Sequence, residues 1–158
     1  VSTSVDVIYI APLKSLINDQ FRRIDELLDE SGISVHRWHG DVSSSHKTDL
    51  LKNPTGVLQI TPESIESMLM SRKNDIPRLF GGLRFVIIDE IHTLMGSDRG
   101  NQILCQLDRI ASIIGYAPRR IGLSATIGDL DEACGWLTGN SGRKTQAPIV
   151  ESGKTSLL

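Results

Sequence analysis

Short apolar runs that alternate with helical patterns constrain the fold of this chain more than any other feature. The runs cover residues 5–10, 33–38, 57–60, 85–88 and 121–123, with a weaker one at 149–150. Several are continuously apolar, as expected of parallel strands that are covered on both faces. Alternating strands and helices are typical of βαβ units. The sequence therefore predicts an α/β fold, with a parallel sheet flanked by helices.

Four segments carry helical spacing or helix-end signals. The first is an apolar stripe that we expect to pack into the core: Leu13, Leu16, Ile17, Phe21, Ile24, Leu27 and Leu28, with Gly32 as a stop. In the second, Thr61 is a candidate N-cap and Pro62 the first helical residue. The third is another stripe, formed by Ile103, Leu104, Leu107, Ile110, Ala111 and Ile114 and ending at Gly115. The fourth opens with Asp129 and Glu132, spaced as in a capping box.

Composition places the chain among ordinary globular domains. Its 158 residues are 39% hydrophobic, and 17 Lys+Arg against 19 Asp+Glu leave a net charge of −2. These values exclude a disordered tail, a collagen-like fibre and a strongly basic nucleic-acid wrapper. No run approaches the roughly 18 apolar residues of a membrane span, and Cys105 and Cys134 lack CxxC spacing. We expect a cytoplasmic domain without membrane association.

Two adjacent carboxylates, Asp89 and Glu90, directly follow the apolar run 85–88. In this position one carboxylate can hold Mg²⁺ through water. Its neighbour can orient and deprotonate a water that attacks a phosphoryl group. A solvated turn at a strand end would carry the same pair, so the pair alone leaves both interpretations open.

Two hydroxyl residues, Ser124 and Thr126, follow the apolar run 121–123 and flank Ala125. At a strand end they could bridge the sheet to a moving partner. An ordinary turn leading into the helix at Asp129 explains the same residues.

The order of four short segments is more specific than any one of them. Residues 11–16, 61–64, 89–92 and 124–126 resemble motifs Ia, Ib, II and III of the superfamily 2 DEAD/DEAH-box helicases. Residues 12–19, with Arg99-Gly100, look most similar to the large helicase-related (Lhr) proteins. The resemblance covers about residues 5–138. It implies the first RecA-like domain of an ATP-dependent DNA or RNA helicase: a three-layer P-loop NTPase fold.

The resemblance also implies roles for residues of this sequence. Asp89 would organise Mg²⁺ through water, Glu90 would be the catalytic base, and His92 would act beside them. His92, Ser124 and Thr126 would couple nucleotide state to domain movement. The residues placed where the family contacts one nucleic-acid strand are Pro12, Lys14, Thr61, Pro62 and Glu63, with Gly40 and Asp41 in a short glycine-containing loop on the same surface.

The phosphate-cradling GxxxxGK[ST] loop that the family carries does not precede Val5. We therefore expect an N-terminally truncated domain in 1–145, and a connector in 146–158 toward a second RecA-like domain that supplies arginine fingers. Such a chain should be inactive alone, and it should dimerise through an unpaired sheet edge or cover that edge with another segment. Gly153-Lys154-Thr155 does not replace the loop, because Pro148 stands where the pattern needs glycine.

Other functions account for fewer of these features. A non-catalytic nucleic-acid-binding or scaffold module would use residues 11–16 and 61–64, but it would give the carboxylates of Asp89 and Glu90 no role. A small P-loop kinase would leave both of those segments unexplained. His36, His39 and His46 favour surface or loop roles over a zinc site, and Trp38 and Trp136 favour core or interface packing.

Overall fold

The computed structural model describes residues 3–147, which form a five-stranded parallel sheet in the order β2-β3-β1-β4-β5. The strands are β1 (Val7–Ile10), β2 (Val35–Trp38), β3 (Val57–Ile60), β4 (Phe85–Ile88) and β5 (Arg119–Gly122). In the register, Ile8 lies between Leu58 and Val86. Because all five strands are parallel, their carboxyl ends meet at one rim of the sheet.

Seven α-helices connect or flank the strands within residues 3–147. They are α1 (Lys14–Asp29), α2 (Ser44–Lys52), α3 (Pro62–Ser71), α4 (Ile76–Phe80), α5 (Ile91–Leu94), α6 (Asp98–Ile114) and α7 (Leu130–Thr138). A 3₁₀ turn spans Lys73–Asp75. No helix in this part of the chain is both long and apolar enough to cross a membrane.

The α/β fold with a parallel sheet is confirmed, with shifts at strand ends. β5 begins at Arg119 and ends at Gly122, before the Leu123 that the apolar run included. Two arginines fit this strand because it pairs only with β4 in the described part of the chain, which leaves it half open. The weak run at 149–150 and Gly153-Lys154-Thr155 lie outside the described residues.

The two faces of the sheet are packed unequally. Val86 and Ile88 belong to the large core, together with residues of α3, α4 and α6. The opposite face carries a small cluster of four buried residues, Tyr9, Ala11, Ile17 and Val57, whose only helical member comes from α1. The core of residues 3–147 therefore lies mainly on one side of the sheet.

The expectation that the whole first stripe packs into the core is wrong for Leu13 and Leu27. These two residues are 55% and 76% exposed, whereas Ile17 is fully buried. Leu28, the last residue of the stripe, packs against the small cluster. Helical spacing reveals an apolar face but not how much of it is covered.

The cap predictions are confirmed. The Thr61 hydroxyl accepts a hydrogen bond from the Ser64 backbone N–H at 3.4 Å. Asp129 Oδ1 accepts from the backbone N–H groups of Asp131 and Glu132 at 2.9 and 3.0 Å. These caps fix where α3 and α7 begin, and α3 begins at the carboxyl rim, next to β3. Sequence patterns did not indicate α2, α4 or α5.

Candidate functional site

The carboxylate of Asp89 is held from two sides at the end of β4. Its Oδ2 accepts a hydrogen bond from the Tyr9 hydroxyl at 2.5 Å, and its Oδ1 accepts from the backbone N–H of Glu90 at 2.9 Å. The backbone N–H of Asp89 donates to the Ile10 carbonyl at 2.9 Å. β1 is thus bonded to this residue through both its backbone and the side chain of Tyr9.

Tyr9 is a site residue that the sequence analysis missed. Burial, the hydrogen bond to Asp89 and the negative charges of Asp89 and Glu90 all raise the pKa of the Tyr9 hydroxyl well above its ordinary range. The hydroxyl therefore keeps its proton and acts as a donor at neutral pH. Its position near the carboxyl end of the strand beside β4 is the signal that could have found it.

Glu90 has a left-handed backbone conformation, with φ of 53°, and is the one non-glycine residue with positive φ among residues 3–147. This conformation costs of order 1 kcal/mol and is typical of functional sites. Glu90 is the second residue after β4 and the N-cap residue of α5. This turn places Glu90 Oε2 within 3.2 Å of His92 Nε2. The Thr93 hydroxyl donates to the Glu90 carbonyl at 2.8 Å.

His92 joins the carboxylates to the segment after β5. Its Nδ1 lies 2.7 Å from Ser124 Oγ, which in turn donates to the Thr126 carbonyl at 2.9 Å. Since its proton goes to that carbonyl, the Ser124 hydroxyl has lone pairs with which its oxygen can accept a hydrogen bond from the imidazole ring. His92 therefore contacts the Glu90 carboxylate on one side and is hydrogen-bonded to Ser124 on the other, and Thr126 takes part through its backbone.

The carboxylates suit water-mediated binding of Mg²⁺. Each oxygen of Asp89 has one donor in the protein and a further lone pair, and the residue is half-buried. In residues 3–147 no three His, Cys, Asp or Glu side chains cluster closely enough to hold a metal ion. Mg²⁺ keeps several waters and needs only one or two carboxylates, so Asp89, with Glu90 beside it, fits such an ion.

A groove of about 740 Å³ lies at the same rim, over the carboxyl ends of β1, β2 and β3. Five of the residues expected to contact a strand line it: Pro12, Lys14, Gly40, Thr61 and Glu63. The two others are close by. Pro62 is buried as the first residue of α3, and Asp41 pairs with Lys14 at 3.2 Å. The fold therefore brings three separate sequence segments to one surface.

Three further groove residues were not predicted to contact a nucleic-acid strand. Arg99 Nη2 donates to Glu63 Oε1 at 2.6 Å, and Lys47 lies over the ring of Trp38, 5.7 Å from its centroid. Trp38 is buried, as expected of a core residue, and also lines the groove. Lys14, Lys47 and Arg99 give the groove three cations.

The three clustered histidines have separate surroundings. Burial lowers the pKa of His36, and also that of His39, whose Nε2 lies 3.2 Å from Asn18 Oδ1. His46 lies at the start of α2, where its Nδ1 is 2.7 Å from the hydroxyl of Ser43.

The profile of the DEAD/DEAH box helicase family matches residues 2–133. The chain belongs to this family. It is 33% identical over 148 residues to the Lhr helicase/uracil glycosylase of Escherichia coli (strain K12), covering 85% of this chain and 9% of that protein. It is 37% identical over 146 residues to the ATP-dependent helicase Lhr-Core of Methanocaldococcus jannaschii, covering 85% of this chain and 17% of that protein. The chain thus spans less than a fifth of the length of these relatives.

Solved structures show the same fold. The helicase Lhr of Mycobacterium smegmatis, bound to ssDNA and AMP-PNP, matches with a TM-score of 0.76 and 29% identity, over 88% of this chain and 19% of that one. The DUF1998 helicase MrfA, bound to DNA, matches with a TM-score of 0.73 and 30% identity, over 87% of this chain and 20% of that one. The sheet and its helices are therefore a RecA-like helicase domain, similar to those of Lhr and MrfA.

Proposed function

We propose that this chain serves as the first motor domain of a helicase that couples ATP hydrolysis to movement along single-stranded DNA or RNA. The observation that carries this proposal is the run of contacts from Glu90 through His92 to Ser124, an ion-pair distance followed by a hydrogen bond, at the rim that also forms the groove. It connects a carboxylate pair suited to phosphoryl transfer with a second segment of the sheet. Relatives named ATP-dependent helicases support it.

Asp89 and Glu90 have different roles in the proposed hydrolysis of ATP. Mg²⁺ bound with ATP would supply charge neutralisation at the phosphates, and Asp89 would hold it through water. Tyr9 and the Glu90 N–H fix the orientation of Asp89. Glu90 accepts the proton of the attacking water, and His92 holds the Glu90 carboxylate in place from 3.2 Å.

Coupling runs through hydrogen bonds that depend on the separation of two segments. Residues 89–92 and 124–126 are joined by the bond between His92 and Ser124, and by the Ile91 N–H donating to the Leu123 carbonyl at 3.0 Å. A shift of either segment would change the position of Glu90 through His92. A second RecA-like domain that moves against Ser124 and Thr126 would thus sense the state of the site.

Strand binding is assigned to the groove. α3 begins at the groove, and the positive end of a helix dipole attracts phosphate. Lys14 lies next to Gly40, where an added Cβ would come within 3.3 Å of its Nζ. The ammonium pairs with Asp41 at 3.2 Å and lines the groove, where the sugar-phosphate backbone of one strand would run.

The experiment is phosphate release from ATP by the full-length protein that contains this chain, with and without oligo-dT or oligo-U. We expect a strand to stimulate release and Glu90→Gln to abolish it. The better stimulant identifies DNA or RNA as the substrate. Glu30→Gln, which changes an exposed carboxylate at the end of α1, is the matched control and should release phosphate normally. Strand binding without release would instead support a non-catalytic binding module.

We further propose that the 158-residue chain alone does not turn over ATP and pairs through the free edge of β5. Ile121 and Leu123 are about two-fifths exposed at this edge, at 39% and 41%. The unpaired backbone N–H and C=O groups of an edge strand are a template for another strand. Light scattering on the purified chain should give the mass of a dimer, and a stable monomer at all concentrations would contradict this.

A further inference from the structure

Arg99 is the groove cation whose position is most firmly fixed. It is the second residue of α6, its side chain is 35% exposed, and its Nη2 donates to Glu63 Oε1 at 2.6 Å. Its Nε is buried and has no hydrogen-bond partner among residues 3–147. Of the two terminal nitrogens, only Nη2 has a hydrogen bond among residues 3–147, so the guanidinium retains donor capacity beyond the bond to Glu63.

The packed backbone of α5 and α6 sets where Arg99 lies. A Cβ at Gly100 would meet the Leu94 carbonyl oxygen at 2.0 Å, so only glycine allows this approach. Farther along, α3 and α6 are joined by Arg109, which donates to Glu66 at 2.7 Å, and by Gln106, which donates to the Pro62 carbonyl at 3.0 Å. These contacts join the start of α3 to the middle of α6, two to three turns beyond Arg99.

Arg99 and Glu63 carry opposite charges, so they interact differently with a phosphate group. A guanidinium matches the geometry of a phosphate group, which accepts its N–H groups in pairs. The Glu63 carboxylate would repel the same phosphate. While the groove is empty, Glu63 occupies donor capacity of Arg99 and neutralises its charge.

We propose that Arg99 binds a backbone phosphate of the single strand. Glu63 orients the Arg99 guanidinium and also lowers its affinity for that phosphate. This inference rests on the proposed function, because it needs a strand in the groove. Glu63 then acts through Arg99, as a positioning residue, instead of contacting the strand as the family resemblance implied. Strand binding exchanges the ion pair for a phosphate contact.

Fluorescence anisotropy of labelled oligo-dT and oligo-U with the full-length protein tests the assignment. Arg99→Gln should weaken binding about tenfold and lower the slope of log Kd against log salt concentration by about one, as the loss of one phosphate contact does. Glu63→Gln should tighten binding severalfold, because a glutamine oxygen still accepts from Arg99 but carries no charge. Thermal unfolding of each variant checks that the domain is intact.

Arg109→Gln is the matched control, because Arg109 also lies on α6 and pairs with a glutamate of α3 but does not line the groove. It should leave Kd and its salt dependence unchanged. If the unmutated protein binds neither oligonucleotide, the proposed function fails. If it binds and Arg99→Gln binds equally well, or if Arg109→Gln weakens binding as much, the assignment of Arg99 is overturned. Weaker binding by Glu63→Gln would overturn the part given to Glu63.

Discussion

The Tyr9 hydroxyl donates to Oδ2 of Asp89 across 2.5 Å, from the middle of the sheet to the residue that follows β4. The two residues are 80 positions apart in sequence. Tyr9 belongs to the small core beneath α1, and Asp89 to the rim where the proposed chemistry occurs. The orientation of this carboxylate is therefore set by the packing of the sheet as well as by its own loop.

We expect Tyr9→Phe to lower the rate of phosphate release by the full-length protein about tenfold, because Asp89 loses one of two bonds that orient it. The dissociation constant for a single strand should not change. Tyr116→Phe is the control, since Tyr116 donates to the carbonyls of Gly81 and Leu83, in another part of the domain. Equal rates for the two variants would show that the bond to Asp89 has no part in turnover.

Ser124→Ala removes both the bond to His92 and the bond to the Thr126 carbonyl. We expect strand-stimulated phosphate release to fall about tenfold. Two hydrogen bonds of about 1 kcal/mol each are lost. The rate falls by less than their sum because they act in only part of the ATPase cycle. Binding of ATP should be retained, as measured with a fluorescent analogue. Ser45→Ala, at an exposed site on α2, should behave like the unmutated protein. Normal stimulation in Ser124→Ala would contradict the coupling role.

Gln59 is fully buried on β3, and neither its Oε1 nor its Nε2 has a hydrogen-bond partner in the described residues. A buried, unpaired amide costs about 1–3 kcal/mol. We expect Gln59→Met to raise the free energy of unfolding by about 1 kcal/mol in urea denaturation. On the opposite face of the same strand, Ile60→Ala should lower it by about 2–5 kcal/mol. If Gln59→Met lowers the free energy of unfolding, the Gln59 amide has a hydrogen-bond partner outside the described residues.

Burial lowers the pKa of His36, whose Nε2 is buried without a partner in residues 3–147. The unfolded chain, in which His36 has its ordinary pKa of about 6.5, therefore binds a proton more readily than the folded chain. Stability should fall as the pH drops below about 6.5, by less than about 1.4 kcal/mol per pH unit for this group.

His36→Phe should remove part of this pH dependence. Some should remain, because burial lowers the pKa of His39 in the same direction. Urea denaturation at pH 7.5 and at pH 5.5 measures the difference for each protein. An identical loss in both proteins would exclude His36 as a contributor.

Local patterns predicted what short segments decide. Thr61-Pro62 marked the start of α3, and the apolar run 85–88 placed Asp89 at the end of a strand. The contact between Glu63 and Arg99 spans 36 positions and depends on how α3 packs against α6, which no local pattern records. The exposure of Leu27 was mispredicted for a similar reason, because coverage depends on neighbouring elements.

Because the strands are parallel, the groove lies at one rim of the sheet and the opposite rim is available for attaching a label. Four residues per strand, at about 3.3 Å each, put roughly 13 Å of sheet between the rims. Asn53 and Arg78 border a cavity at the rim opposite the groove. A dye or surface tether attached at either residue would hold the domain without obstructing a strand, so single-molecule recordings of stepping can be anchored there.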